Sequence, residues 1–330
     1  MSALDVSVEV DAVERAPAAP RILLLGLPLS GKTSIQNVVF YKMPPEETRH
    51  LDSTHSVERR RISNSDFVQF ETWDCPGVLE VTDPGFDAGG LFIKCSTMVF
   101  VIDAQSQPYT NALDSLIQAV GVAYRTNQEI NFQVLIHKVD GLSDDQKIGT
   151  QRDIQGEVLD VLGERGLSSC HLSFHLTSIY DHSILEAFSK VVQTLIPQRA
   201  LLESLLDLLI STCRIEKAFL FDLASKIYIA TDCAPYDMQS YELCSEMIDV
   251  VLETSAIYGP VDGQPLEHDH KSFSVIKLSN GLVLCLREVD TQLGLVTMLR
   301  EENFEKHGLL EFNFGILKQA LSAAKLLPRG

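Results

Sequence analysis

Positive charge is scarce in this chain. Its 330 residues carry 27 lysines and arginines against 45 aspartates and glutamates, a formal net charge of −18. A nucleic-acid binder needs a basic face for phosphate, and an anionic membrane is held by clustered lysine and arginine, so this balance argues against both. Both halves of the chain are acidic, and the charge serves mainly solubility. Aromatic residues are few at 7%, with a single tryptophan, Trp73. Long apolar runs are missing, and none approaches the roughly 20 residues that span a bilayer. The opening MSALDVSVEVDAVERAPAAP lacks the basic-then-apolar order of a secretory signal. Residue 2 is serine and the final LLPRG has no cysteine, so the myristoylation and prenylation patterns are absent. Cys75, Cys95, Cys170, Cys213, Cys233, Cys244 and Cys285 are scattered, odd in number and without a C-x-x-C, which reads as reduced thiols in the cytoplasm. The expectation is a protein with no direct membrane anchor; at a membrane, another component would hold it.

What is present is an ordinary globular composition, 45% hydrophobic and 22% charged. The length suits about two domains. Residues 1–19 are acidic, Ala/Pro-rich and aperiodic, the pattern of a disordered arm. From residue 20 to 197, short apolar runs alternate with helical spacing. Strands are predicted at Ile22–Leu25, Phe67–Trp73, Met98–Ile102, Phe132–Ile136 and His171–Leu176. Helices are predicted near Ile35–Phe40, 109–126, 148–165 and 183–195. This alternation predicts βαβ units and a mostly parallel sheet with helices on both faces. Pro197 ends the pattern. Residues 198–330 read α-β-β-α-β-β-β-α, with Asn280-Gly281 as a hairpin signal, which predicts an α+β domain on an antiparallel sheet.

Four motifs carry chemistry. Gly26-Leu-Pro-Leu-Ser-Gly31-Lys32-Thr33 matches G-x-x-x-x-G-K-[ST], after a strand and before a helix. The glycines let the backbone curl with its N–H groups inward, an anion nest at a helix N-terminus. Lys32 supplies positive charge to β- and γ-phosphates, and Thr33 a hydroxyl to Mg²⁺. Trp73-Asp74-Cys75-Pro76-Gly77 follows the second strand; Asp74 falls near the Mg²⁺ water shell and the Gly77 amide near a γ-phosphate. Alone, Asp-x-Pro-Gly is also a common turn. His137-Lys138-Val139-Asp140 follows the FQVLI strand, where guanine-specific proteins carry [NT]-K-x-D with an Asp that accepts two hydrogen bonds from the guanine edge. Leu176-Thr177-Ser178-Ile179, the weakest of the four, follows the last strand, where a backbone amide can read the guanine carbonyl. In order and spacing the four motifs together resemble those of the small GTPases of the Ras superfamily. In the segment between Lys32 and Asp74, Thr54 lies where the Mg²⁺-sensing threonine falls, with Thr48 as fallback or ribose contact.

The resemblance is closer than a superfamily. RILLLGLPLSGKTSIQNVVFYKMPPEET, WDCPG, VIDAQ, IHKVDGLSDDQKI, TQRDI, LTSIYDHSI, EAFSKVVQ, IEKAFLFD, SKIYIATD and DMQSYELC resemble the Rag GTPases on their C/D side, which in fungi is the second of the Gtr proteins. The similarity runs from Arg21 to about Ala323. It implies a P-loop G domain over 20–197 and a roadblock/longin-like dimerisation domain over 198–330. It also implies an obligate heterodimer with an A/B-type Rag through the C-terminal domains. The pair would dock on a lipidated scaffold of the Ragulator or Ego type at the lysosome or vacuole, besides cytoplasm and nucleus. It would recruit the TOR kinase complex when amino acids are plentiful and be served by activating proteins of the folliculin type. The ligands implied are GTP or GDP with Mg²⁺. Nucleotide contacts carried over from the family are Ser30, Gly31, Lys32, Thr33, Ser34, Thr48, Asp52, Ser53 and Thr54, with His137, Lys138, Asp140, Ser178 and Ile179 on the base side. Catalysis would rest on Lys32, Thr33, Thr54 and Gly77, and the metal on Thr33, Thr54 and, through water, Asp74.

One departure concerns rate. Residue 78 is valine where the family has a glutamine that orients the attacking water. Unassisted Ras-type turnover is already about 3–5 × 10⁻⁴ s⁻¹, so slower hydrolysis is expected here. Valine keeps a pseudo-GTPase scaffold alive as an alternative. A P-loop ATPase or kinase is disfavoured by Lys138 and Asp140. His268-Asp269-His270 is read as an exposed loop rather than a metal site, and Arg59-Arg60-Arg61 as a solvated edge. Cys75 is read as a spectator thiol and Trp73 as sheet core.

Overall fold

The computed structural model describes residues 19–77, 88–234, 237–258, 273–290 and 292–325. The acidic arm of residues 1–18, Val78 and His268-Asp269-His270 lie outside them. Among the described residues there are two sheets. The first is built from β1 (Arg21–Leu25), β2 (Glu58–Ser63), β3 (Gln69–Asp74), β4 (Thr97–Asp103), β5 (Asn131–His137) and β6 (Leu172–Thr177), in the order β2-β3-β1-β4-β5-β6. All pairs are parallel except β2 with β3. The apolar runs of β1 and β4 are buried on both faces, as central parallel strands must be. Helices α1 (Lys32–Tyr41), α2 (Ala88–Phe92), α3 (Thr110–Thr126), α4 (Asp144–Glu164) and α5 (Ser183–Gln193) connect the strands. Because β1 pairs with β3 on one side and β4 on the other, the chain order reverses at β1, and the loop after β1 opens into the crevice where such sheets bind ligands.

Four elements differ from the sequence reading: two helices of five and four residues, Ala88–Phe92 and Glu301–Phe304, are too short to show helical periodicity, and β2 and α4 depart from it as well. β2 was not predicted, because ERRRIS has one apolar residue and no strand pattern. Its register with β3, from Glu58↔Asp74 to Ser63↔Gln69, makes it the outer strand. The three arginines sit at an edge, but they are not simply solvated. Arg59 lies over the Trp73 ring at 4.0 Å, with Arg21 on the same ring at 3.6 Å. Arg60 bonds Asn37 at 3.0 Å and lies over Tyr41. Trp73 is sheet core under these two guanidinium planes. α4 begins four residues earlier than its apolar spacing implied. Ser143 and Gln146 form a capping box, each side chain bonded to the other's backbone N–H, so a polar first turn starts the helix without apolar periodicity.

The second sheet is antiparallel, ordered β8-β7-β11-β10-β9. Its strands are β7 (Lys217–Asp222), β8 (Ile227–Thr231), β9 (Phe273–Lys277), β10 (Leu282–Asp290) and β11 (Leu293–Arg300). Gly281, with φ +79°, turns β9 into β10 as the Asn-Gly pair predicts. α6 (Arg199–Cys213) and α9 (His307–Lys325) pack together on one face, α7 (Met238–Tyr258) covers the other, and the short α8 (Glu301–Phe304) follows β11. One apolar core runs from α1 beneath the first sheet through Phe188, Val191 and Val192 of α5 to Leu202, Leu206 and Leu321 at the second. α5 also closes the free edge of β8: Ser189 Oγ accepts from Tyr228 N at 3.1 Å and Gln193 Nε2 donates to Tyr228 O at 3.2 Å. No described helix is long and apolar enough to cross a membrane.

Candidate functional site

The loop from Gly26 to Gly31 is shaped by what a side chain would strike. A Cβ on Gly26 would stand 2.3 Å from the Val101 carbonyl oxygen. Gly31 takes φ +102°, and a Cβ there would meet the His137 ring at 2.8 Å. Gly31 caps α1 without a side-chain hydrogen bond and no acid occupies the first turn, so the helix presents free N–H groups and the positive end of its dipole to the cleft. Lys32 Nζ folds back over this loop, donating to Gly26 O at 2.9 Å and Leu27 O at 3.0 Å. Burial lowers its pKa against the pull of Asp74. A cation this buried, facing open amides, is matched to an incoming polyanion.

Beside Lys32, three oxygen ligands converge. Thr33 Oγ1 donates to Asp74 Oδ2 at 2.5 Å and lies 2.8 Å from Thr54 Oγ1, which itself is 3.5 Å from Asp74 Oδ2. Asp74 is fully buried, its pKa is raised by that burial, and its Oδ1 has no partner; neither has Ser30 Oγ. Orphaned buried oxygens beside a loop of inward amides fit a cation and phosphates that complete them. Among the described residues no three His, Cys, Asp or Glu converge for a metal. One carboxylate with two hydroxyls is the hard, water-sharing donor set that suits Mg²⁺ rather than Zn²⁺. Gly77 faces the same loop so closely that a Cβ would overlap Pro28 N at 2.2 Å.

The far end of the cleft is built by β5 and β6. His137 Nδ1 lies 3.0 Å from Thr177 Oγ1, and its ring edge backs Gly31. Burial and the Lys138 charge lower its pKa to about 4, so the imidazole is neutral. Lys138, at φ +64°, sends Nζ to Asp103 Oδ2 at 2.6 Å and Leu29 O at 2.8 Å. Gln105 Nε2 holds the Lys138 carbonyl at 2.8 Å, and Ala104 N the His137 carbonyl at 2.8 Å. Asp140 Oδ1 accepts from Ser178 Oγ at 2.7 Å. Arg49 reaches across the mouth to Tyr180 Oη at 3.4 Å. The whole is an open cleft of about 730 Å³.

Of the residues singled out from sequence, Gly31, Lys32, Thr33, Ser34, Thr48, Asp52, Ser53, Thr54, Gly77, His137, Lys138, Asp140 and Ile179 all line this cleft. Ser30, Asp74 and Ser178 stand behind its wall, reached through Gly26, Thr33 and Asp140 respectively. Thr48 Oγ1 is spent on Pro45 O at 2.7 Å, which leaves Thr54 as the hydroxyl beside Thr33. Cys75 is buried with its thiol pushed up to about 12, an inert spectator. Sequence reasoning missed Asp103, the carboxylate that holds Lys138, and Gln105, Arg49, Tyr180 and Leu29 as cleft groups. Only VIDAQ hinted at the first two, and no spacing rule links them to Lys138.

Two expected outcomes follow from this geometry. Asp103→Ala frees Lys138 from its carboxylate; this partly exposed pair is worth about 1 kcal/mol, and nucleotide release should quicken about fivefold. Stopped-flow release of a fluorescent GDP checks this, and an unchanged rate would exclude the pairing as a positioning contact. The second concerns pH. His137 and His175 are both held near 4 by burial, below the ordinary 6.5 of the unfolded chain. The unfolded state therefore binds more protons between these values, and their contribution to stability, complete above 6.5, is lost as pH falls toward 4. Asp74 and Asp222, raised by burial, act with the opposite sign, so the test is a difference. From pH 7.5 to 5.0 the native chain should lose about 2 kcal/mol more than His175→Gln in urea unfolding.

Fold and cleft together define a P-loop nucleotide-binding domain joined to an α+β domain. The family model described as the Gtr1/RagA G protein conserved region matches residues 21–248. The chain belongs to this family. It is 56% identical over 303 residues to the human "Ras-related GTP-binding protein C", covering 92% of this chain and 76% of that one. It is 50% identical over 307 residues to "GTP-binding protein gtr2" of Schizosaccharomyces pombe, covering 92% and 97%. Similarity to "GTP-binding protein gtr1" of the same yeast is lower, 24% over 213 residues, covering 64% and 68%.

Proposed function

We propose that this chain is the C/D-type, guanine-nucleotide-dependent switch subunit of a Rag heterodimer. The observation that carries the reading is the cleft itself: Lys32, Thr33, Thr54 and the half-unpartnered Asp74 at the open N-terminus of α1, with Asp140 at the opposite end. The α1 amides and Lys32 would hold the β- and γ-phosphates. Thr33, Thr54 and, through water, Asp74 would hold Mg²⁺, which when bound neutralises charge between the phosphates. Asp140 would accept from the guanine edge, oriented by Ser178, while Lys138 lies alongside, fixed by Asp103. Thr54 and Gly77, on segments flanking the phosphate end, would close on a γ-phosphate and relax without it, so that a partner contacts two different surfaces.

Hydrolysis would be slow. Val78 has no group to orient water, so a partner must supply one. The similarity to proteins named for GTP binding supports the nucleotide, and the two-branch pattern of relatives supports an A/B-type partner bound through the second domain. The remaining elements of the reading are a lipidated scaffold at the lysosome or vacuole, the TOR kinase complex, amino-acid sufficiency as signal and a folliculin-type activating protein. They are carried by the sequence resemblance alone and are part of the proposal. Val78 favours one other reading, a scaffold that binds nucleotide permanently and acts by dimerisation. Single-turnover assay of radiolabelled GTP with Mg²⁺ and excess ATP separates them. Tight, ATP-resistant binding with slow cleavage is expected; binding without any cleavage would leave the scaffold, and displacement by ATP would overturn both.

A further inference from the structure

Among the described residues, the most deeply buried carboxylate outside the cleft belongs to the second sheet. Asp222 ends β7 in the second sheet and is fully buried. Its Oδ2 accepts from Ser225 N at 2.9 Å, from the Ser225 hydroxyl, and from Asn64 Nδ2 at 2.8 Å. Its Oδ1 has no partner, and among the described residues no cation forms an ion pair with it. Stability alone disfavours such a group, because burying an unpaired carboxylate is costly. Its long-range donor comes from a turn at the edge of the first sheet, 158 residues away in sequence.

Asn64 sits on the turn that joins β2 to β3, where its N–H donates to Val68 O at 3.2 Å. The open end of this hairpin carries both segments that face the phosphates: Thr54 lies just before β2, and Gly77 just after β3. The closed end is held by the second domain at two points. Asn64 is bonded to Asp222 of β7, and Asp66 pairs with Lys325 at the end of α9 at 3.1 Å, a lysine that also pairs with Asp290 of β10. Between the two ends run six paired positions without a bulge, so the hairpin moves as a unit. The hairpin thus runs from the phosphate end of the cleft to a buried carboxylate of the second domain.

We propose that the β2–β3 hairpin is a lever between the nucleotide cleft and the second domain, latched by Asn64 on Asp222. The inference rests on the nucleotide-switch reading above and adds to it a route by which the second domain senses the nucleotide. Coupling of this kind is reciprocal and is typically worth several-fold in an equilibrium. The β7–β8 turn reports it, since the Ser225 amide bonds the same Asp222 oxygen as Asn64.

The test is hydrogen–deuterium exchange on the full chain loaded with GDP or with a non-hydrolysable GTP analogue. Residues 225–228 should exchange at rates differing about fivefold or more between the two states. Asn64→Ala and Asn64→Asp should each abolish that difference while leaving the response of residues 48–54 intact. Ser225→Ala, which keeps the Asn64 bond, should retain the difference. A responsive 48–54 segment with an unresponsive 225–228 segment would overturn the latch alone, as would a difference that survives Asn64→Ala. A 48–54 segment blind to the nucleotide would overturn the switch reading and the latch with it.

Discussion

Lys32→Ala should lose nucleotide affinity by roughly 10²–10³-fold, about 3–4 kcal/mol for the loss of charge-assisted bonds to phosphate in a site shielded from water. Two parts of the geometry set this size. The amine is buried at the centre of the loop, and it also holds the Gly26 and Leu27 carbonyls. Removing it deletes the cation that meets the polyanion and unties the loop that aims the amides. Isothermal titration with GDP and GTP, beside a thermal melt of the empty protein, checks the result. A variant that melts normally and still binds GDP within tenfold of the native chain would remove Lys32 from the phosphate site.

Asp140→Asn should reverse the choice of base. Guanine offers two donors, N1–H and the exocyclic amine, to the two carboxylate oxygens. Asparagine keeps one acceptor and presents an amide N–H₂ against the guanine amine. A site built for hydrogen bonds rejects a mismatched partner by roughly 10⁴-fold. Xanthine, with a carbonyl where guanine has its amine, restores both bonds with asparagine. The neighbouring contacts make the exchange clean: Ser178 Oγ orients Asp140 Oδ1 at 2.7 Å and accepts from Tyr180 N at 3.1 Å, and both bonds can persist beside an amide. Competition binding of GDP against XDP reads the outcome. Equal loss of both nucleotides with no gain for XDP would mean that Asp140 holds the loop and does not read the base.

The phosphate end of the cleft was legible from the residues because its demands are local. A loop that must bring backbone N–H groups inward at φ +102°, and that runs so close to Val101 that a Cβ on Gly26 would stand 2.3 Å from its carbonyl oxygen, admits only glycine at Gly31 and Gly26. Asp74 and Gly77 were legible for a similar reason: one ends and the other closely follows a strand whose end must point into the crevice. The base end was legible only as a pattern. That His137 is neutral depends on its burial against Gly31 and Thr177, and no spacing conveys that.

The sequence by itself determined the alternation of strand and helix, the hinge of the pattern at Pro197, and the order of the four motifs. Each is written in neighbouring residues through periodicity, glycine conformations and capping. Tertiary structure alone decided which distant groups complete the site. Asp103 reaches Lys138 across 35 residues, Leu29 across 109, and Arg49 meets Tyr180 across 131. It also decided that the polar ERRRIS is a strand, because pairing with β3 and stacking on Trp73 supply what propensity lacks. The placement of Asn64 on Asp222 belongs here too. A hydrogen bond between two domains depends on how their shared core packs around α5, and packing of that range is a property of the folded chain rather than of any stretch of it.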